Sequence, residues 1–439
     1  MSSCNLTTFI NGTDCIGDTR AILNQNFSNL DTAICSLSSG AINGGTTATI
    51  QTTYTPGTQT LTSDVLPSSI TDIELKQDSV TTLKVKDGNI TTKKLAFDSG
   101  SFSFRNKIIN GSLNIWQRGS TFLNAEGFTA DRFLVIRDGT PVTPPIGLTS
   151  FGSSNVTVTR DLNVPLNTPF LYSIKIQRNS GDINNSSIHL KHLFETHDIL
   201  DCVSKNVTLS YYIQTGTTFA STDLKTTIFL GTGVNQGIIN MHNNTWSGYA
   251  TLPGSIIPAA VGVWQRVEET FTIPVGVKEI GFSIGFTPVA GVAGIDETIY
   301  VTGLQFEIGD TATPFEWCNR STEIARCQRF YEKSYGIDEQ PGTVGASLGV
   351  LECESNITGL SKIHTTVPYK TLKYSPPGVF IINPVSGNIN ELYDVTSSTS
   401  VSIMGVNTGE YCMSSFDLIT PLTGPSALNW HFIADSEMY

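Results

Sequence analysis

The chain has 439 residues, a formal net charge of −12 and only 15% charged residues. The charges are dispersed and form no basic stripe, which argues against nucleic acid and anionic membrane surfaces as partners. No run of about 18 apolar residues occurs, so we expect no membrane insertion. The first ten residues lack both a charged segment and a long apolar core, so we expect no signal peptide.

Residues 1–40 contain one predicted helix with a coiled-coil pattern. Its apolar residues recur mainly at spacings of three and four, which is the seam of a short parallel coiled coil. Such a helix is not stable alone, so the seam needs partners, either identical chains or domains of its own chain. The seam positions that we assign to trimerisation are Leu23, Phe27, Leu30, Ile34 and Leu37.

Residues 41–104 begin as an extended connector and continue as a repeat in which apolar residues recur every five positions. Neither a helix nor a straight strand keeps such residues on one face. One thin thread cannot bury them, so we predict a shaft with ten-residue repeats in which several identical chains, three in our hypothesis, share an apolar axis. A disordered linker is the alternative. The axis positions that we assign are Ile70, Leu75, Val80, Val85, Ile90 and Leu95.

The rest of the chain is predicted to be mainly β. Residues 105–318 carry short alternating strands with turn signals, which are typical of a jelly-roll sandwich. A helix capped by Asn319 or Ser321 is predicted over 319–335, and residues 336–439 read as a small β tip domain. The predicted strands are Val156–Arg160, Tyr172–Gln177, Asn206–Gln214, Lys225–Phe229, Trp264–Ile273, Gly281–Phe286, Thr298–Glu307, Val344–Leu351, His364–Val367, Val379–Asn383, Val401–Val406 and Leu428–Ala434.

Candidate metal and redox sites are few. The eight cysteines form no C-x-x-C pair, so free thiols are favoured over a disulfide framework or a zinc site. One cluster resembles a metal site: His189, His192, His197 and Asp198. On a strand, His189 and His192 point to opposite faces, so we predict no metal there. Asp296 and Glu297 fit either a solvated turn, which we prefer, or a structural calcium site.

Several strings resemble one family. Ile108-Ile-Asn-Gly-Ser-Leu-Asn-Ile-Trp-Gln-Arg-Gly119 followed by Thr129-Ala-Asp-Arg-Phe133 resembles the opening of bacteriophage tail-fibre and receptor-binding proteins. Leu304 to Gly309, Pro314 to Trp317, Ile324 to Lys333 and His431 to Met438 continue this resemblance in the same order. It implies a homotrimeric virion appendage, attached to other tail proteins by its N-terminus. It also implies a middle domain similar to carbohydrate-binding jelly rolls and assembly in the bacterial cytoplasm.

The functional prediction is a tail fibre that adsorbs to the host surface by binding envelope glycan or another outer-envelope receptor. No hydrolase or nucleotide-binding motif occurs, so we predict no catalytic residue and no cofactor. A glycan-cleaving tail spike and a purely structural connector or decoration protein are the alternatives. Exposed rings beside amide side chains suit sugar binding. The candidates are Trp246, Tyr249, Asn243, Asn244, Tyr369, Tyr374 and Trp430, whereas Trp116, Trp264 and Trp317 are assigned to packing.

Overall fold

The structure, a computed structural model, describes residues 23–30, 50–55, 60–65, 104–139, 154–291 and 293–438. The chain divides into two compact units, Met1–Thr91 and Thr92–Tyr439. Within the described ranges, no helix is long and apolar enough to cross a membrane. The five described cysteines, at positions 202, 318, 327, 353 and 412, are free thiols, as expected.

The first unit contains one described helix and one hairpin. Helix α1 spans 23–30, and the side chains of Leu23, Phe27 and Leu30 are 44%, 66% and 45% exposed. Strands β1 (Ile50–Thr55) and β2 (Thr60–Val65) pair antiparallel, with Ile50 opposite Val65. The extended connector predicted for this segment is therefore wrong, because its backbone groups pair with each other in a hairpin. The other assigned trimerisation positions, Ile34, Leu37, Ile70, Leu75, Val80, Val85, Ile90 and Leu95, lie outside the described residues.

The first part of the second unit is an antiparallel β-sandwich, which confirms the predicted two-sheet architecture. One sheet has the strand order β11-β10-β13-β8-β5-β4, and the other has β12-β9-β14-β7-β6-β3. The strands are β3 Thr121–Phe122, β4 Gly127–Phe128, β5 Leu134–Arg137, β6 Val156–Asp161, β7 Ser173–Arg178, β8 Ile188–Leu193, β9 Asn206–Thr215, β10 Lys225–Gly231, β11 Ala250–Ile256, β12 Gln265–Thr272, β13 Glu279–Phe286 and β14 Glu297–Ile308. Short helices α2 (Thr196–Ile199) and α3 (Ile238–His242) and a 3-10 turn (Leu200–Cys202) lie between strands.

Alternation along the strands builds the core between the sheets. In β9, Val207, Leu209 and Ile213 are fully buried and face the core, as their spacing predicts. Strand β13 is buried on both faces, and glycine makes this possible on the outer one. A Cβ at Gly281 would lie 2.3 Å from Met241 Sδ, and a Cβ at Gly285 would lie 2.3 Å from His189 Nδ1. A side chain at either position would therefore require Met241 or His189 to move.

The predicted helix over 319–335 is shorter in the structure. Helix α4 spans Arg320–Gln328, and Asn319 caps it by accepting a hydrogen bond from the Ser321 N–H, as predicted. The remainder was wrongly assigned to the helix, because Tyr331–Lys333 form strand β15, which pairs with the strand near the C-terminus. Backbone pairing across about a hundred residues has replaced the local helical preference there.

The C-terminal part is one eight-stranded sheet. Its remaining strands are β16 Leu351–Ser355, β17 Lys362–Pro368, β18 Gly378–Ile382, β19 Glu391–Asp394, β20 Thr399–Thr408, β21 Cys412–Leu418 and β22 Ser426–Asp435. Strand β22 pairs with β15, β16, β18 and β19. The strand predicted over Val344–Leu351 is wrong: Gly345 and Gly349 have φ of +75° and +81°, and a Cβ at Gly349 would lie 1.8 Å from Ser334 O. Backbone of that kind forms turns.

The strings that resemble tail fibres meet in one buried network. Gln117 donates from its backbone N–H and its side chain to the Asp131 carboxylate, at 2.9 and 2.5 Å. The same side chain donates to the carbonyl of Tyr331 at 2.8 Å. Arg118 and Arg132 both bind the Glu437 carboxylate. The sandwich and the C-terminal sheet therefore share a polar core, and these strings hold the two together.

Candidate functional site

The predicted aromatic site around Trp246 does not present a ring to solvent. The Trp246 indole is 3% exposed and donates from Nε1 to Gly237 O at 3.0 Å. Tyr249 is partly buried, with its ring centroid 6.2 Å from that of Phe229. Asn243 and Asn244 are exposed, at the end of α3. The premise of an exposed stacking surface is therefore not met at this loop, whose tryptophan packs into the core.

The candidates in the C-terminal part are also largely internal. Tyr369 is 8% exposed, and its hydroxyl lies 2.5 Å from Thr408 Oγ1. Trp430 is 1% exposed and packs edge-to-face on Phe416. Tyr374 is half-buried and stacks on Phe330, with ring centroids 5.7 Å apart. Tyr374 belongs to the cluster around Trp246, whereas Tyr369 and Trp430 belong to the core of the C-terminal sheet, so the structure does not bring these rings together.

Trp317, which was predicted to be a packing residue, is an exposed aromatic in the wall of a cleft. Its side chain is 47% exposed. Its ring centroid lies 5.2 Å from that of Phe170 and 5.0 Å from that of Phe315. Phe170 also packs edge-to-face on Phe315 at 5.1 Å. Two aromatic rings therefore hold one part of the indole in place, and the rest of the indole is open to solvent.

The cleft has a volume of about 570 Å³, which is in the range of small-molecule sites. Exposed apolar groups of Phe104 and Leu171 lie in its wall beside the Trp317 ring. The lining residues are Phe104, Asn106, Ile108, Gly111, Ser112, Asn114, Ile115, Leu171, Tyr172, Phe315, Glu316, Trp317, Cys318, Asn319, Arg320, Thr322, Glu323, Arg326 and Asp338. The wall thus combines aromatic carbon with amide, hydroxyl, guanidinium and carboxylate groups.

Hydrogen bonds across about two hundred residues fix this wall. The Glu316 carboxylate accepts from the N–H groups of Phe104 and Asn106. The Glu316 N–H donates to Gln305 Oε1 at 2.7 Å, which ties the segment to β14. Asn106 Nδ2 donates to Leu304 O at 3.0 Å. Trp317 therefore follows a residue whose position is fixed from both sides, and this favours a pre-formed site.

The charged side chains of the cleft differ in how many hydrogen bonds and ion pairs they form with the rest of the protein. Glu323 accepts from the Asn110 N–H and lies 3.5 Å from Arg326 Nη1. Asp338 lies 3.2 Å from Arg160 Nη1 and 3.9 Å from Arg320 Nη2. Arg320 is 66% exposed. Asn114 Oδ1 is buried without a hydrogen-bond partner among the described residues, and such an atom normally acquires one.

Cys318 lies in the cleft but is poorly suited to nucleophilic chemistry. Burial raises the pKa of its thiol, and the neighbouring Glu323 carboxylate raises it further. A thiol reacts as the thiolate, which these surroundings disfavour at neutral pH. Cys318 is therefore a neutral group in the wall of the cleft.

His189 and His192 point to opposite faces of strand β8, as predicted. His189 Nε2 lies 3.2 Å from Asp138 Oδ1 on the outer face of its sheet. His192 is 1% exposed and packs among Phe133, Phe194 and Phe282 in the core. Burial lowers the pKa of His192 well below its usual value, so its ring is neutral. Within the described residues, no three His, Cys, Asp or Glu side chains are arranged to hold a metal ion.

The acidic pair at the start of β14 is divided between two protein partners. The Asp296 carboxylate accepts from the N–H and hydroxyl of Thr217, at 2.7 and 2.9 Å. Glu297 is buried and binds Arg178 at 2.9 Å. The two carboxylates are not directed at a shared cation position, so this geometry does not favour the calcium alternative.

The sequence contained one indication that Trp317 could bind a ligand, namely its position on a loop. It lies between the last strand of the sandwich and the N-cap of α4, and large aromatics on such connections are candidates for binding. This loop contacts Phe104 and Phe170, and those contacts depend on pairings remote in sequence, which no local pattern contains. Asn114, Arg320 and Arg326 were missed for the same reason.

Comparison with known proteins gives structural matches alone. No family model matches the sequence, and no curated protein matches it. The enzymatically active domain of bacteriophage CBA120 tailspike protein 4 is 13% identical with a TM-score of 0.27, over 46% of this chain and 21% of that chain. The CBM22-1 xylan-binding domain of Paenibacillus barcinonensis Xyn10C is 12% identical with a TM-score of 0.25, over 44% of this chain and 99% of that chain. The tandem CBM22-1–CBM22-2 domain of the same protein is 12% identical with a TM-score of 0.25, over 73% and 91%.

Proposed function

We propose that this chain is the subunit of a bacteriophage tail fibre that adsorbs to the host surface by binding envelope glycan in the Trp317 cleft. The observation that carries the proposal is the half-exposed indole, held by Phe170 and Phe315 in the wall of a cleft that also carries polar side chains. The C–H face of a sugar stacks on such a ring, while neighbouring polar groups bind its hydroxyls. A ring held in place loses little entropy when ligand binds.

The carboxylates of the cleft favour binding over cleavage. Glycoside hydrolysis needs two carboxyl groups facing the scissile bond, one of them free to donate a proton. Glu316 accepts two backbone N–H groups, and Glu323 accepts one and pairs with Arg326. Carboxylates committed in this way stabilise the wall of the cleft. We therefore propose recognition without chemistry, rather than a glycan-cleaving spike or a purely structural connector.

The proposed fibre is a homotrimer attached to other tail proteins by its N-terminal segment. In support, Leu23, Phe27 and Leu30 of α1 are exposed in the isolated chain, as a seam awaiting partner chains would be. Three clefts on one fibre would bind a repeating glycan with avidity, so weak single-site affinity would suffice. We also propose that the fibre assembles in the bacterial cytoplasm and functions on the virion.

Replacing Trp317 with alanine should weaken glycan binding by about 10- to 30-fold, since a central aromatic contributes on the order of 2 kcal/mol. The measurement is binding of the full chain to an array of bacterial surface polysaccharides, followed by titration of the polysaccharide that binds. Trp317→Phe should retain part of the affinity, because it keeps a ring. Tyr411→Ala removes another exposed ring, 71% exposed and outside the cleft, and should bind normally. Equal binding by Trp317→Ala and the parent chain would contradict the proposed site.

Replacing Phe27 with aspartate should dissociate the proposed trimer, because three carboxylates would meet at an apolar seam. The measurement is the solution mass of the full chain by sedimentation or light scattering. Asn24→Asp places the same charge on an exposed position of α1 outside the assigned seam and should leave the mass unchanged. A parent chain that is monomeric at micromolar concentration would refute the trimer, and with it the coiled coil.

A further inference from the structure

We infer that the Trp317 cleft selects an acidic glycan, with a carboxylate or equivalent anionic group on the unit next to the stacked sugar. This inference rests on the proposed function and names the class of glycan. Its basis is the difference in how the positive and negative side chains of the cleft are engaged. It does not follow from the net charge of the chain, which is −12.

Three carboxylates, those of Glu316, Glu323 and Asp338, and two guanidinium groups, those of Arg320 and Arg326, line the cleft. The hydrogen bonds that each group already makes within the protein therefore decide what it can recognise. Glu316 uses both carboxylate oxygens on backbone N–H groups. Glu323 uses one oxygen on the Asn110 N–H and the other on Arg326. Asp338 places one oxygen 3.2 Å from Arg160. Both oxygens of Glu316 and both oxygens of Glu323 thus have protein donors, whereas Asp338 is exposed and has a donor on one oxygen.

The guanidinium groups of the cleft are much less saturated. A guanidinium has five N–H donors. Among the described residues, Arg320 has one ion contact, at 3.9 Å, which is beyond hydrogen-bond distance. Arg326 donates to Glu323 at 3.5 Å and contacts the Cys318 thiol, which leaves most of its five N–H groups unused. Unused N–H groups in a fixed fork match a carboxylate or phosphate oxygen pair better than a single hydroxyl. A ligand that supplies an anionic group would therefore satisfy donors that the protein leaves open.

Asn114 adds a second requirement. Asn114 lines the cleft, and its Oδ1 atom is buried and has no hydrogen-bond partner among the described residues. An amide oxygen accepts hydrogen bonds, so a ligand that reaches this atom would offer a donor, such as a hydroxyl or an amide N–H. An acidic sugar has the anionic group, the hydrogen-bond donor and the C–H face that stacks on Trp317. A polymer of simple anions has only the first of these.

The test is binding of the full chain to alginate, polygalacturonate and polysialic acid, each beside the same polymer with its carboxyl groups reduced to alcohols. We expect binding to at least one acidic polymer and a loss of about tenfold or more on carboxyl reduction, since hydrogen bonds to charged groups are worth that much. Arg320→Gln and Arg326→Gln should weaken acidic binding by a similar factor. Arg326→Lys keeps the charge without the fork and should keep part of the affinity, which separates lost charge from lost folding.

Lys362→Gln is the matched control, because it removes one partly exposed cation outside the cleft and should leave binding unchanged. One result would overturn this inference and leave the proposed function standing. In that case the acidic and the reduced polymers bind with equal affinity, and this binding depends on Trp317 but not on either arginine. The inference would also be overturned if acidic polymers bound equally well after substitution of Trp317, Arg320 or Arg326, because the anion would then bind elsewhere. If none of these polymers binds, the acidic inference fails, and the polysaccharide array decides separately whether the cleft binds glycan.

Discussion

Replacing Glu437 with glutamine should lower the free energy of unfolding by about 3–5 kcal/mol, because it leaves the buried Arg132 without its counter-ion. The Glu437 side chain is fully buried and binds Arg132, and it lies 3.3 Å from Arg118 Nη2. Both guanidinium groups also lie on aromatic rings: Arg132 is 3.5 Å from the centroid of Phe330 and Arg118 is 3.7 Å from that of Tyr331. Neither cation can move to water without undoing this packing.

Urea denaturation of the full chain measures this effect. The control is Glu268→Gln, which removes the carboxylate of a partly exposed pair with Arg266 at 2.7 Å. Exposed pairs contribute about 1 kcal/mol or less. If the two substitutions shift the urea midpoint equally, the Glu437 network does not hold the second unit together as inferred.

The network also explains how the C-terminal sheet is joined to the sandwich. Ile238 N donates to Met438 O at 2.7 Å, so the end of the chain binds the start of α3. Met438, Phe330 and Cys327 share one apolar cluster with residues of the sandwich, among them Ile115. Loss of Glu437 should therefore destabilise both parts in a single transition.

Strands with strict alternation could be predicted from the sequence. Strand β9 is an example, because every second residue from Val207 to Ile213 enters the core. The C-terminal sheet was harder to predict, because β22 pairs with four other strands and its order depends on contacts remote in sequence. Strand β15 shows the consequence, since its residues continue a helical pattern until tertiary pairing prevails.

The candidate site was largely beyond sequence reasoning. Composition favours loops in which tryptophan and asparagine occur together, and Trp246 fits that description yet is buried by α3. Trp317 follows an apolar strand and a proline, a context that suggests packing. Its exposure depends on which neighbours reach it, and Phe170 and Phe315 cover only part of the ring. Position on a connection between elements was therefore more informative than residue type.

A second buried ionic network holds the far end of the sandwich. The Asp182 carboxylate is 2.8 Å from Arg137 Nη2 and 3.0 Å from Arg178 Nε, and all three side chains are at most 2% exposed. Arg178 also binds Glu297 at 2.9 Å. Asp182→Asn should therefore cost about 3–5 kcal/mol of unfolding free energy at neutral pH. Asp417→Asn, which breaks the exposed pair with Lys362, should cost less than about 1 kcal/mol.

The pH dependence distinguishes lost charge from lost packing. Burial raises the pKa of Asp182, but hydrogen bonds from Arg137, the Asn184 N–H and Arg178 outweigh it and hold the pKa below its usual value. A lowered pKa in the folded state stabilises the protein above the unfolded pKa of about 4, and this contribution is lost as the pH falls through the folded value. The difference in unfolding free energy between the parent chain and Asp182→Asn should be constant near neutral pH and shrink below about pH 4. A difference that stays constant in acid would mean that the substitution acts through packing, because the charge of Asp182 would then contribute nothing.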